Sequence, residues 1–258
     1  QQSSAQLKRL SLELGGHAPV IVFPDVDIQE VAKASVIGKF RNNGQVCISP
    51  TRFYAHQTIQ NDYLEACVEE TKKLKLGNGL EEDVDIGPMF EAKAMDKADA
   101  LVSDAKTKGA SCLVGGSRAT RFERGYFYEP TVLADVGGDM ALMTEEPFAP
   151  VMPVLDFDTI DEAIQKANDT KYGLAAYVLT NDLSAAFKMA EGLEFGIIGI
   201  NDTVPSVPQA PFGGMKESGI GRECSIEGMD AYLETKSVSI ALNYSGLRDA
   251  REAVASMI

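Results

Sequence analysis

This sequence is short of basic charge, of histidine and of paired cysteine. Across 258 residues, 24 Lys and Arg stand against 38 Asp and Glu, a formal net charge of −14. A surface field of that sign repels phosphate backbones and anionic head groups, so nucleic acid and membrane surfaces are poor partners. The two histidines, His17 and His56, and the four cysteines, Cys47, Cys67, Cys112 and Cys224, form no Cys-x-x-Cys pair. That pattern argues against structural zinc and for reduced thiols. With two imidazoles, neither in a triad motif, Cys/His and Ser/His/Asp catalysis have little to build on. No apolar run approaches the roughly 18 residues of a spanning helix. The opening QQSSAQLKRL lacks the basic start and apolar middle of a signal peptide. The expected compartment is therefore the cytoplasm.

What is present is the composition of an ordinary globular protein, 45% hydrophobic and 24% charged. Short apolar runs alternate with helical patterns. Strands are expected at Pro19 to Phe23, Arg52 to His56, Ser111 to Val114, Val151 to Phe157, Leu174 to Leu179 and Gly196 to Ile200. Helices are expected at Ile28 to Phe40, Asn61 to Leu74, Glu91 to Lys108, Thr159 to Asn168 and Leu183 to Leu193, with the first ended by Asn42-Asn43-Gly44. Strands separated by helices of this length predict an α/β fold, a mostly parallel twisted sheet with helices on both faces. Cys67 falls on a buried helical stripe and Cys112 in a strand. Polar loops are expected at Gly77 to Pro88 and from Gly115 to about Glu129. A short helix is expected around Ile226 to Leu233 and a terminal strand at Lys236 to Leu242, and 243–258 forms a tail that reads as an amphipathic helix or a frayed end.

Two segments carry candidate chemistry. Gly44-Gln45-Val46-Cys47-Ile48 puts a thiol at a turn after a helix, where exposure and nearby backbone N–H groups favour the nucleophilic thiolate. Taken alone, a buried structural cysteine is the more frequent use of such a residue. Leu12-Glu13-Leu14-Gly15-Gly16 places a carboxylate inside an apolar run before two glycines. There it is either a paired structural charge or a general base whose pKa burial raises.

Together, LELGG followed by GQVC, with Glu13 and Cys47 34 positions apart, resembles the aldehyde dehydrogenase superfamily. The resemblance continues through Glu145-Glu146-Pro147-Phe148-Ala149-Pro150 and Pro211-Phe212-Gly213-Gly214-Met215-Lys216-Glu217-Ser218-Gly219, over about residues 10 to 242. It implies that Cys47 attacks the aldehyde carbon and that Glu13 is the base for the hydrolytic water. It also implies that Glu146 holds the ribose of a nicotinamide cofactor, NAD or NADP, and that Phe148 flanks the nicotinamide ring. Glu223 matches a second family carboxylate, for which a structural ion pair is at least as good a reading.

Within the superfamily the likeness is closest to the succinate-semialdehyde dehydrogenases, through KFRNNGQVC at 39–47 and the stretch 196–214. Arg41 and Ser206 match positions that grip a distal substrate carboxylate, an arrangement that a guanidinium fork suits. As plain structure, Arg41 is a favourable charge at a helix C-terminus and Ser206 is loop polarity. The resemblance further implies a catalytic domain over 1–242 that includes strand 236–242, without the N-terminal dinucleotide-binding half. The nearest glycine pattern, Gly219-Ile220-Gly221, has Cys224 where the dinucleotide fingerprint requires glycine. Full activity is not expected of such a chain alone, whereas the complete enzyme is expected to be a homo-oligomer acting on a small aldehyde. Two other roles use the same features: a cofactor-free thiol esterase working through Cys47 and Glu13, and an assembly module presenting its terminal strand.

Overall fold

The computed structural model describes residues 3–240, 242 and 254–255. Its frame is a seven-stranded sheet of β2 (Ala18–Val22), β3 (Pro50–His56), β4 (Ser111–Val114), β5 (Thr131–Ala134), β6 (Val151–Phe157), β7 (Ala175–Leu179) and β8 (Ile197–Ile200). The spatial order is β4-β5-β6-β3-β2-β7-β8. Every neighbouring pair is parallel except β4 with β5. The central strands APVIV and AAYVL are buried at every position, as a sheet covered on both faces demands.

One face packs against α1 (Ile28–Phe40) and α2 (Gln60–Lys73), with Phe53, Ala55 and Tyr177 pointing into that layer. The other packs against α3 (Ala92–Thr107), α5 (Ile160–Asn168) and α6 (Leu183–Gly192), with Tyr54, Ala176 and Val178 pointing there. The period-2 alternation along β3 and β7 thus divides two cores between two helical layers. Asp27 starts α1 by accepting hydrogen bonds from the N–H groups of Gln29 and Glu30 at 3.0 and 3.1 Å. Asn42, Asn43 and Gly44, all left-handed with φ of 50°, 58° and 69°, stop it and turn the chain towards β3. Cys67 is fully buried on α2 and Cys112 lies in β4. Among the described residues no helix is long and apolar enough to cross a membrane.

Several sequence expectations need correction or completion. The four-residue strand β5 and the short helix α4 (Ala141–Thr144) lie between 130 and 150, where no element was anticipated; each is too short to show a period. Lys236 to Leu242 is not a strand among its described residues, 236–240 and 242. Val238, Ile240 and Leu242 alternate as a strand would, but they stand exposed, and a strand exists only when another backbone pairs with it. The short helix is α7 (Ser225–Asp230). The tail helix falls on 243–258, most of which lies outside the described residues.

A second, minute sheet was also not foreseen. Here β1 (Leu12–Glu13) runs antiparallel to β9 (Gly219–Ile220), pairing Leu12 with Ile220 and Glu13 with Gly219.

Candidate active site

Four loops meet at the amino ends of four adjacent parallel strands, β6, β3, β2 and β7. Glu13 to Gly16 enter β2, Gly44 to Ser49 enter β3, Glu146 to Pro150 enter β6, and Gly173 enters β7. Open parallel sheets more often place their sites at the carboxyl ends.

The two glycines after Glu13 make the convergence possible. A Cβ on Gly15 would collide with the Glu146 carboxylate, and one on Gly16 would collide with the Cys47 carbonyl oxygen. Each glycine therefore seats one other loop of the site against the Glu13 segment. The Gly16 N–H donates to Glu146 Oε1 at 2.9 Å. The segment is held from behind by Ser218, whose backbone oxygen accepts from Leu14 N at 3.0 Å. Its hydroxyl donates to Gly15 O at 2.7 Å and accepts from Gly173 N at 2.9 Å. The glycine-rich segment at 211–219 thus fastens the strand that carries Glu13.

Cys47 and Glu13 are both half-buried, and each perturbs the other. Burial raises the Glu13 carboxyl, the neighbouring charges of Glu223 and Glu146 raise it further, and a hydrogen bond with the Cys47 thiol opposes them. The Cys47 thiol is pushed up to about 11, first by burial and then by the charge and hydrogen bond of Glu13. The backbone N–H groups of Ile48 and Cys47 pull the other way by pointing at the sulfur. The carboxylate charge beside the sulfur disfavours the thiolate, so the two anionic forms do not coexist cheaply. Among the described residues, Glu13 Oε1 is a buried oxygen without a hydrogen-bond partner, which leaves an acceptor free for a further donor.

Glu146 is half-buried, with its carboxyl raised by burial against the pull of Gly16 N–H, Lys97 and Lys39. Lys97 Nζ donates to its backbone oxygen. Phe148 is partly exposed and left-handed at φ 47°, a strained conformation for a bulky residue and one that recurs at ligand sites. Arg41 is exposed at the end of α1, and its charge acts on the Tyr177 phenol. Ser206 is exposed on the 201–210 loop, which reaches α1 where Thr203 packs 3.7 Å from the position of a Gly38 Cβ. No hydrogen bond or ion pair joins Ser206 to Arg41 among the described residues. Glu223 pairs by backbone with Phe212 and its charge reaches Glu13.

Sequence reasoning missed three contributors. Lys39, in the last turn of α1, is fully buried, its Nζ unpartnered among the described residues, and burial lowers it to about 7. Ser218 lay inside a recognised motif but had no assigned role. Tyr177 reads in sequence as a core strand residue, and nothing marks its hydroxyl. His17 is a structural residue: its ring bonds Thr51 Oγ1 at 2.8 Å and Met143 O at 2.9 Å, and burial lowers it to about 3. A cavity of about 820 Å³ lined by Arg52, Tyr54, Asp156 and Lys166 contains none of the candidate residues.

Fold and site define a class of α/β protein in which a loop thiol and a strand-borne carboxylate, each shifting the other's titration, lie beside a second acidic loop. The Aldehyde dehydrogenase family model matches residues 1–238, and the chain belongs to that family. It is 44% identical over 236 residues to succinate-semialdehyde dehydrogenase, mitochondrial, of Oryza sativa subsp. japonica, covering 92% of this chain and 44% of that protein. It is also 44% identical over 236 residues to aspartate-semialdehyde dehydrogenase (non-phosphorylating) of Halomonas elongata, covering 92% and 48%. The crystal structure of an E. coli NADP-dependent enzyme superposes with a TM-score of 0.90 at 41% identity, covering 93% of this chain and 50% of that one. The chain spans about half the length of the relatives it matches.

Proposed function

We propose that this chain is the thiol-bearing part of an NAD- or NADP-dependent aldehyde dehydrogenase that oxidises a short aldehyde acid, succinic semialdehyde first, to the carboxylic acid. The observation that supports the reading is the convergence of the Glu13 and Cys47 segments, with the Cys47 carbonyl seated on Gly16 and the thiol and carboxyl each shifting the other. In this reading Glu13 takes the thiol proton and the sulfur attacks the carbonyl carbon, forming the S–C bond. In this reading the oxygen gathers negative charge and the Cys47 backbone N–H is its donor. Loss of hydride from the thiohemiacetal carbon leaves a thioester on Cys47. Once Glu13 has released the first proton to solvent, it takes one from water. The resulting hydroxide attacks the thioester carbonyl, and the S–C bond breaks to give the acid and return the thiol.

The nicotinamide, when bound, supplies the hydride acceptor. Residues here fit its reacting end: a carboxylate acceptor at Glu146 suits ribose hydroxyls, and the partly exposed Phe148 ring suits an aromatic face. Leu12, Leu14, Phe90 and Met215 are exposed large apolar side chains. Arg41 is the proposed fork for the distal carboxylate, with Ser206 as its polar companion. The two curated relatives are each named for a semialdehyde that carries a carboxylate.

The test is cofactor reduction with succinic semialdehyde by a polypeptide that joins this chain to a dinucleotide-binding half. Reduction is expected and is expected to vanish in Cys47→Ala. Undiminished reduction by that variant overturns the proposal.

A further inference from the structure

The turn that carries Cys47 is anchored at two successive peptide planes. The first, between Cys47 and Ile48, presents its N–H to Sγ while its carbonyl rests on Gly16, where no Cβ intervenes. The second, between Ile48 and Ser49, is fixed from across the sheet. Tyr177, buried on β7, donates its hydroxyl to Ile48 O at 2.6 Å. The turn is closed by Ser49 N–H on Val46 O at 2.9 Å. Tyr177 is the only side chain among the described residues recorded as bonding either carbonyl.

We propose that Tyr177 is a positioning residue for the nucleophile: its hydroxyl, by clamping the Ile48 carbonyl, holds Ile48 in place and with it the N–H that this residue presents to the neighbouring sulfur. The proposal rests on the reading of Cys47 as nucleophile and deepens it. The charged and titratable groups facing this assembly are Glu13 on the sulfur and Arg41, Cys47 and Asp202 on the phenol. A buried carbonyl that loses its donor is left unsatisfied, and the shift of Ile48 that re-pairs it also displaces the N–H of the same residue relative to the sulfur.

The test is the pH profile of iodoacetamide alkylation, read cysteine by cysteine through peptide mass mapping of the 258-residue protein. Tyr177→Phe removes one oxygen and is expected to move the Cys47 profile to higher pH by about one unit, about tenfold slower at a given pH below the midpoint. Cys67, buried on α2, and Cys112, on β4, serve as internal reporters and should react as in the parent. Cys47 alkylation that is unchanged or faster, with Cys67 still protected, overturns the proposal. If Tyr177→Phe exposes Cys67 and so reports a lost fold, Tyr177→4-aminophenylalanine decides. It retains a non-ionising donor at the same place, and the parental Cys47 profile is expected. A displaced profile in that folded variant overturns the proposal. Neither readout needs cofactor or aldehyde, so failure here is distinct from failure of the dehydrogenase reading, which cofactor reduction tests.

Discussion

Lys39 offers the largest calculable effect in the site. Its ammonium is wholly buried, without a hydrogen-bond partner among the described residues, and has the Glu146 charge as its one attractive influence. Burial wins over that attraction, bringing the pKa from 10.5 to about 7. The unfolded chain therefore binds more protons than the folded one between these values, so stability rises with pH across this window. At about 1.36 kcal/mol per pH unit, the fall from 10.5 to about 7 makes charged Lys39 a burden on the order of 5 kcal/mol. That burden is fully present below about pH 7 and is relieved as pH climbs to 10.5.

Lys39→Met keeps the length and discards the amine. Urea unfolding followed by circular dichroism at several pH values should find the variant more stable than the parent near neutrality. The difference should narrow by about 1.4 kcal/mol per pH unit on the alkaline side. Titrations of groups that do not feel Lys39 are common to both and cancel, whereas Glu146 and His17 feel its charge. A difference independent of pH, or a variant less stable near neutrality, refutes this account of Lys39.

Three further outcomes follow from the geometry. Gly16→Ala puts a methyl into the Cys47 carbonyl, so it should cost about 1–3 kcal/mol in urea unfolding. In the polypeptide that joins both halves it should also lower kcat by about 100-fold, the scale expected for a small misplacement of reacting groups. Ser218→Ala removes the hydroxyl that bridges Gly15 O and Gly173 N, which should destabilise the chain by about 1–3 kcal/mol because both groups are left unpaired; an unchanged unfolding midpoint would contradict the bridging role. Arg41→Ala should raise KM for succinic semialdehyde far more than for an uncharged aldehyde of similar length, measured by cofactor reduction, whereas equal losses on both would remove the fork.

The parallel sheet was legible because its inner strands are unbroken apolar runs and its helices carry long stripes. The two candidate groups were legible because Glu13 and Cys47 each sit in a dense local motif. What escaped depends on partners distant in sequence. The β1 and β9 pair spans two residues on each side, too few for any period, yet it places Glu13. Lys39 resembles a helix-end charge facing solvent, and only the fold shows it buried. Tyr177 looks like any aromatic of a central strand, and its role lies in one hydroxyl reaching a carbonyl 129 positions away. The error at Lys236 to Leu242 has the opposite origin, since alternation was present but no described backbone pairs with it.

The most direct test of the paired thiol and carboxylate is mass spectrometry of the chain after brief exposure to p-nitrophenyl acetate. In Glu13→Gln the acetyl group should accumulate on the peptide that contains Cys47 and persist, in the parent it should form and disappear, and in Cys47→Ala that peptide should stay unlabelled. Acetylation confined to the exposed Cys224, or equal loss of the Cys47 label with and without the Glu13 carboxylate, would contradict the account.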